Sequence, residues 1–270
     1  MGDLERQVER TKAGVSEVAE EAGDSKVVTW GARAGYVASG LIHLLIAWIA
    51  VSLALGLGTG QDADQAGAFA ALVGNPVGLV LMLLMVAGLA LLAVLHLTKA
   101  IRADGLKDRL SHLGNAAGAV ALIVPAVGVL VNRDSRSAEQ TQQTTSTILS
   151  VPFGFVLILI AGAVLAGIGV QHIWTGLTRR FTKQLVQHPG RAAIAIGTIG
   201  YLARGIALLV AGFLIGNAAI TGRSEDARGM DGAFRAILAA PWGQVLVLVL
   251  AAGFACYAVY CFIRARYARV

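Results

Sequence analysis

Long apolar stretches alternate with polar segments along the chain after residue 30. Each stretch runs for about 20 residues or more, the length that a helix needs to cross about 30 Å of hydrocarbon. The pattern therefore predicts six membrane-spanning helices. Their approximate bounds are residues 31–55, 76–100, 112–131, 152–176, 193–220 and 242–263.

The chain also repeats itself. Residues 35–105 align with residues 200–270 without a gap and are identical at 22 of 71 positions. A weaker third copy lies between them and keeps the Pro-x-Gly entry to its second span, at Pro152 and Gly154. Because each copy holds two spans, all three have the same orientation in the membrane. The predicted fold class is an all-α membrane protein, with six transmembrane helices as three tandem two-helix repeats around a pseudo-threefold axis along the membrane normal.

The repeats set the predicted boundaries. Repeat 1 covers residues 29–104, the degenerate repeat 2 covers 105–185, and repeat 3 covers 186–270. Residues 1–28 form a cytoplasmic N-terminal arm that has no apolar core and no cleavage site, so it is not expected to be a signal peptide. The arm carries a rough apolar stripe. It is either a helix that docks on a cytoplasmic partner or a solvated, frayed segment.

Small residues spaced four apart indicate how the helices hold together. Helices in lipid gain little from hydrophobic exclusion, so their association depends on close contact between faces that lack bulk. The alternative is that these faces line a pathway. The glycines predicted to pack helices are Gly35, Gly40, Gly200, Gly205, Gly114, Gly118 and Gly167.

Short segments precede the Pro-x-Gly entries. In "AGAFAALVGNP" and "DGAFRAILAAP", Phe69 and Phe234 fall on one side of a short helix, which predicts a helix in the outer interface with that side toward the membrane. Pro76 and Pro241 are expected to begin the next helices. The corresponding segment of repeat 2, residues 132–147, is rich in Gln, Thr and Ser and is expected to be a mobile loop.

These motifs resemble a known family. The entries "GYVASG" and "GYLARG", the "GAF...P-x-G" turns and the closing "ARYARV" are similar to a family of bacterial, largely actinobacterial, membrane proteins, number twelve hundred and six in the unknown-function series. The resemblance covers roughly residues 29–270 and is weakest in repeat 2, where the tyrosine found at Tyr36 and Tyr201 is replaced around Asn115. It implies three helix pairs and no established activity.

Composition and charge also place the chain in a bilayer. It is 56% hydrophobic and 14% charged, with a mean hydropathy of +0.70, whereas about a quarter of the residues of a soluble domain are charged. Of the 22 Lys and Arg residues, 17 lie in the two terminal segments and in the loops on the same side of the membrane as the termini. This bias predicts cytoplasmic N- and C-termini. Together with the bacterial family that the chain resembles, it implies a multi-pass protein of the bacterial cell (inner) membrane. Anionic lipid headgroups match the excess charge, and nucleic acid is not needed to explain it.

All 16 acidic residues lie outside the predicted spans. Transporters driven by protons or cations commonly bury Asp or Glu inside their spans. Without Asp or Glu, the predicted spans also lack carboxylates that could act as a general acid, a general base or a ligand of a hard metal ion. The sequence contains no phosphate-binding loop, nucleophile elbow or metalloprotease motif. We therefore expect a protein that is not an enzyme and holds no cofactor.

Basic and imidazole side chains near the spans are the remaining candidates for a site. Arg204 is expected to reach the headgroups or bond helix carbonyls, or to contact an anionic lipid or a partner subunit. His96 and His172 occupy equivalent repeat positions, where repeat 3 has Cys261. Two histidines and a cysteine can hold a soft metal, and two imidazoles can hold a haem. The interpretation that we prefer is that both histidines face the interface. His112 is expected in a loop.

The sequence favours a non-enzymatic membrane scaffold or accessory subunit that acts through helix faces and bound lipid, with a membrane-protein partner. One alternative is an uncoupled channel or facilitator for a small solute along the axis, with Asn217, Asn115 and Thr198 as polar lining. Another is a lipid-binding protein with Arg204 as its headgroup anchor. In each case, Arg204, His96 and His172 are the candidate lipid or partner contacts.

Overall fold

The computed structural model describes residues 26–57, 60–73, 76–103, 105–132, 137–184 and 190–267. These ranges contain nine α-helices, two short 3-10 helices and no strand. The N-terminal arm lies outside the described residues, apart from its last three, which begin the first helix. The α-helices are α1 (Lys26–Ala54), α2 (Gln65–Val73), α3 (Pro76–Arg102), α4 (Leu106–Asn132), α5 (Ser137–Leu149), α6 (Gly154–Leu177), α7 (Gly190–Thr221), α8 (Gly229–Leu238) and α9 (Gly243–Tyr267).

Six of these helices are long and apolar enough to cross a membrane. They are α1, α3, α4, α6, α7 and α9, and they coincide with the six predicted spans. The predicted all-α membrane fold is therefore confirmed. We call the end of the bundle where α1, α4 and α7 begin the basic end, and the opposite end, where α2, α5 and α8 lie, the cap end.

The long helices pack side by side in one unbroken series. Helix α4 packs against α3, α3 against α1, α1 against α9, α9 against α7, and α7 against α6. The two helices of repeats 1 and 3 are therefore neighbours within their own repeat. Over the described residues, α4 and α6 of repeat 2 make no comparable contact with each other. The series is open on the side where repeat 2 would close it.

Burial reflects this opening. In the most apolar stretches of α4 and α6, 25% and 22% of the residues are buried, against 44–56% in the other four long helices. The core lies between α1, α3 and α9 and includes the fully buried side chains of Ile42, Ile46, Met82 and Phe254. Repeat 2 thus contributes least to the core and exposes most of its surface.

The glycines predicted to pack helices in repeats 1 and 3 lie at helix contacts. A Cβ on Gly35 would meet the backbone of Gly88, one on Gly40 the ring of Phe262, and one on Gly200 the backbone of Tyr257. Close approach of neighbouring helices at Gly35 and Gly200 therefore requires glycine, whereas a side chain at position 40 would displace the Phe262 ring. A fourth contact of this kind joins Gly205 to α6, at Ile173 and the backbone of Gly169.

The prediction differs from the structure for the three glycines of repeat 2. No atom of the described residues lies within 4 Å of a Cβ built on Gly114, Gly118 or Gly167. The physical reason is that α4 and α6 pack on their outer neighbours and not on each other, so the small-residue faces remain exposed.

Short helices lie at the cap end in all three repeats. Helices α2 and α8 form where the sequence predicts them, but Phe69 and Phe234 are fully buried in the protein core and do not face lipid. The expectation of a mobile loop at residues 132–147 is wrong, because Ser137–Leu149 form helix α5. The sequence does not predict this helix, because a segment rich in Gln, Thr and Ser lacks apolar residues at helical spacing.

The Pro-x-Gly motif has a steric cause. A Cβ on its glycine would collide with a carbonyl of the preceding short helix, at Gly78 with Leu72, at Gly154 with Ile148 and at Gly243 with Leu238. The motif therefore lets each short helix pack against the start of the next span.

The prolines of the motif behave differently. Pro76 begins α3 as predicted, but Pro241 lies in a turn, and α9 begins only at Gly243. The residue between Pro241 and Gly243, Trp242, has a positive φ of 61° that a helix does not allow.

Candidate functional site

Polar and aromatic side chains collect toward the basic end of the bundle. All six long helices contribute, and most of these side chains are buried. We call this cluster the polar-aromatic layer. Its members are Tyr36, Ser39, His43, His96, His112, His172, Phe181, Tyr201, Arg204, Tyr257, Tyr260, Cys261 and Arg264.

Arg204 is fixed by a tyrosine of the neighbouring helix. Its Nη1 donates a 2.7 Å hydrogen bond to the hydroxyl of Tyr257, and its guanidinium lies 4.9 Å from the centre of that ring. Sequence reasoning considered headgroups, phosphate and helix carbonyls as partners. It missed Tyr257, because the contact joins α7 to α9 across 53 residues of sequence.

His43 lies beside this pair at 1% exposure. Its Nδ1 donates a 2.6 Å hydrogen bond to the Ser39 carbonyl, one turn earlier. The ring centre is 4.7 Å from that of Tyr257 and 6.1 Å from that of Phe254. The Nε2 atom is buried and has no hydrogen-bond partner among the described residues. His43 therefore joins α1 to α9 mainly through ring contacts.

Arg264 is the most deeply buried cation of the layer, at 8% exposure. Its Nη2 donates a 3.2 Å hydrogen bond to the Tyr36 hydroxyl, and its guanidinium lies 4.4 Å from the Tyr36 ring centre and 5.9 Å from that of Tyr260. Sequence reasoning placed Arg264 among the charges at the end of the last span. The sequence around Arg264 does not distinguish it from Arg266, which lies two residues later and is exposed.

Stacked aromatic rings connect the layer to the chain after α6. The Phe181 ring lies 5.2 Å from that of Tyr201 and 5.0 Å from that of Tyr260. The Tyr260 hydroxyl donates a 3.3 Å hydrogen bond to the Phe181 carbonyl. Phe181 belongs to the 3-10 helix Arg180–Gln184, so this segment is held against α7 and α9.

The structure separates the three residues of the predicted metal or haem alternative. His96 stacks on His112 with ring centres 6.0 Å apart, and His172 lies 5.7 Å from Tyr201. Cys261 contacts Ser39, with 3.8 Å between Sγ and Oγ. The described residues contain no group of three or more His, Cys, Asp or Glu residues that could hold a metal ion. His112, which was expected in a loop, lies on α4.

The polar residues of the predicted channel are also apart. Asn217, near the end of α7 at the cap, donates a 3.4 Å hydrogen bond to Asp226. Thr198 lies 19 positions earlier on the same helix, about 28 Å away along the axis, and its backbone approaches Gly176 of α6. Asn115 is on α4. These side chains do not form one polar level.

Acidic side chains connect the repeats at the cap end. Asp231, at 1% exposure, accepts a 2.9 Å bond from the Ala63 amide and a 2.6 Å bond from Arg235. The Asp231 carboxylate holds the pKa of Arg235 above its usual value, mainly through that hydrogen bond. Asp62 accepts a 3.0 Å bond from the Ala138 amide, which begins α5. Sequence reasoning placed these acids outside the spans and missed the burial of Asp231.

Together, the fold and the layer define a class: multi-pass membrane proteins built from tandem two-helix repeats. The chain belongs to the family described as Domain of Unknown Function (DUF1206), which matches residues 34–103, 110–179 and 199–268. It is also similar to the uncharacterized protein YxxB of Bacillus subtilis (strain 168), with 26% identity over 249 residues, which cover 87% of this chain and 89% of that protein. No solved structure matches the chain.

The three matched segments are equal in length, so positions can be compared by counting from each start. His96, His172 and Cys261 then share one position, and Tyr36, His112 and Tyr201 share another. The first set lies on α3, α6 and α9, and the second on α1, α4 and α7.

Each junction between consecutive repeats joins these two positions or their near neighbours. His96 meets His112, His172 meets Tyr201, and the junction that returns from repeat 3 to repeat 1 has Cys261 against Ser39 beside Tyr36. The layer therefore contributes contacts to every junction between consecutive repeats.

Proposed function

We propose that the protein is a non-catalytic membrane scaffold or accessory subunit that binds another membrane protein through α4 and α6. The observation that carries the proposal is the open side of the bundle. Repeats 1 and 3 pack their own helix pairs, while the described faces of α4 and α6 lack such a partner and are about half as buried as the other spans.

The composition of the open side supports a protein partner. Exposed glycines at positions 114, 118 and 167 allow a foreign helix to approach closely, and close approach is what drives helix association in lipid. Large side chains such as Val164, one turn from Gly167, and Phe155, nearer the cap end of α6, are also exposed and can fill the grooves of a partner. A face intended for lipid alone has no need of such glycines.

The non-catalytic part of the proposal is supported by the acid inventory. Helices α1, α3, α6, α7 and α9 carry no Asp or Glu, and α4 carries only Asp108, in its first turn. Within the polar-aromatic layer, hydrogen bonds and ring contacts hold His43, Arg204 and Arg264 in structural arrangements. These residues join helices, which is the property expected of a scaffold.

Purification from native membranes in mild detergent tests the proposal. We expect a membrane protein to be recovered in stoichiometric amount. Gly118→Leu and Gly167→Leu fill the open side and should release that partner while the protein stays folded. Ala87→Leu places the same leucine side chain at an exposed position of α3 and should retain the partner. A solitary protein at native expression, or equal recovery with all three variants, contradicts the proposal.

A further inference from the structure

We propose that the basic end of the bundle binds a phosphate group at Arg264, where α9 meets α1 and α3. The inference goes beyond the proposed function, because it concerns a different surface and requires no partner protein. It follows from a buried cation that has aromatic neighbours but no counter-charge among the described residues.

Two tyrosines hold the Arg264 guanidinium in place. Tyr36 and Tyr260 place their rings against the guanidinium, and the Tyr36 hydroxyl accepts one of its hydrogen bonds. The Nε atom is buried without a hydrogen-bond partner among the described residues. Since a guanidinium has five N–H groups, the observed contacts leave donor capacity for a further acceptor.

Positive charges dominate around Arg264 in the described part of the chain. Arg264 and Lys99 lie close enough to His96 for their charges to act on it, and the His96 ring stacks on His112. Among the described acidic residues, only Asp108 lies at the basic end, and it acts on His112. Two cations and two imidazoles thus share one corner of the bundle with one exposed carboxylate.

Such an arrangement is unfavourable unless an anion joins it. Removing a guanidinium from water is costly, and ring faces and hydroxyl dipoles replace only part of the lost hydration. A metal ion would add to the positive charge, so the histidine pair does not suit one. An anion would use the free donors of Arg264 and offset the positive charges that act on His96.

Phosphate is the anion that the geometry favours. Arg264 is three residues from the end of α9, a helix of 25 residues that is long enough to reach the headgroup level of a bilayer. The planar fork of arginine matches two phosphate oxygens, and lysine beside it adds a point charge. The phosphate can belong to an anionic lipid or be free in solution, and the chemistry at Arg264 is the same.

The test uses the full chain purified in detergent. We would measure the phosphorus that remains bound after washing, and the thermal unfolding midpoint with inorganic phosphate, phosphatidylglycerol or phosphatidylcholine. We expect bound phosphorus and a rise in the midpoint with phosphatidylglycerol over phosphatidylcholine; a rise with inorganic phosphate alone assigns the free anion. Arg264→Gln should weaken the apparent affinity for the phosphate ligand, taken from the dependence of the midpoint on its concentration, on the order of 10- to 100-fold, the loss expected for charged hydrogen bonds.

Arg266→Gln is the matched control, because Arg266 is exposed on the same helix two residues away and should respond like the wild type. If Arg264→Gln does not fold, Lys99→Gln takes its place with an expected loss of affinity of about 2- to 5-fold. The proposal is overturned if wild-type protein holds no phosphorus and responds to none of the three additions. It is also overturned if Arg264→Gln behaves like Arg266→Gln, or if cross-linking shows a partner's carboxylate at Arg264.

Discussion

Individual residues decide which helix faces touch. Gly200 lies where the backbone of α9 passes, so even one methyl group would collide with Tyr257. Gly118 belongs to a similar small-residue pattern in the sequence, yet nothing lies near it. The sequence identifies both as candidates for packing, but it cannot distinguish them, because the difference depends on where another helix lies.

This difference predicts opposite results for the same substitution. Gly200→Ala should lower the free energy of unfolding in detergent by about 1–3 kcal/mol, because a methyl group is forced into a filled contact. Gly118→Ala, the matched control, should leave the stability unchanged or slightly higher, since alanine favours a helix. Equal losses at both positions, measured by unfolding in a graded denaturing detergent, would show that the open side of α4 is packed after all.

Arg204 was a visible candidate because it is a cation within an apolar run, but its partner was not. Tyr257 has no feature in the sequence that assigns it to Arg204. The structure predicts that Tyr257→Phe lowers the free energy of unfolding by about 1.5–3 kcal/mol, because the guanidinium loses a charged hydrogen bond inside the bundle.

A double-mutant cycle with Arg204→Met isolates that interaction. We expect Tyr257→Phe to cost little once Arg204 is absent. If Tyr257→Phe costs as much in the Arg204→Met background as in the wild type, the two side chains do not interact.

At the scale of elements, the short helices of the cap are the clearest product of the repeats. The apolar periods of α2 and α8 predict helices, and the Pro-x-Gly glycines explain how they fit against the next span. Helix α5 escaped prediction because its side chains are polar. Its place between two spans, at the same point as α2 and α8, was the available signal, and the repeat logic would have found it.

The cap predicts a role for one buried carboxylate. Asp231→Asn should lower the free energy of unfolding by about 1.5–3 kcal/mol and increase hydrogen exchange in α2 and α8, because it weakens the bonds to Arg235 and the Ala63 amide. Glu225→Gln removes an exposed charge from the same end and should change neither quantity. Unchanged exchange in Asp231→Asn would mean that the cap does not depend on this link.

At the scale of the whole molecule, repeat counting predicts six spans in three pairs but not their unequal packing. The pseudo-threefold axis stays a prediction, since a closed ring needs six packed helix pairs and the described parts of α4 and α6 do not pack as the other five pairs do. Degenerate sequence in repeat 2 was visible. Its consequence, an open side, depends on long-range packing that no local pattern encodes.

The central claim is that the bundle is closed between repeats 3 and 1 and open within repeat 2, and paired cysteines test both parts. In repeat 3, Ala203 lies against Gly253, and the equivalent positions in repeat 2 are Gly114 and Val164. Ser39→Cys brings a second thiol to Cys261, where the present Oγ and Sγ atoms are 3.8 Å apart. Cys256→Ala removes the other thiol of that variant.

Mild oxidation of the purified protein, followed by cleavage at a protease site introduced between α4 and α5, shows whether the two fragments stay joined. We predict that residues 39 and 261 form a disulfide. In a background with Cys256 and Cys261 replaced by alanine, Gly114→Cys and Val164→Cys should form none. A disulfide between residues 114 and 164 as efficient as that between 39 and 261, or no disulfide at 39 and 261, would contradict the account.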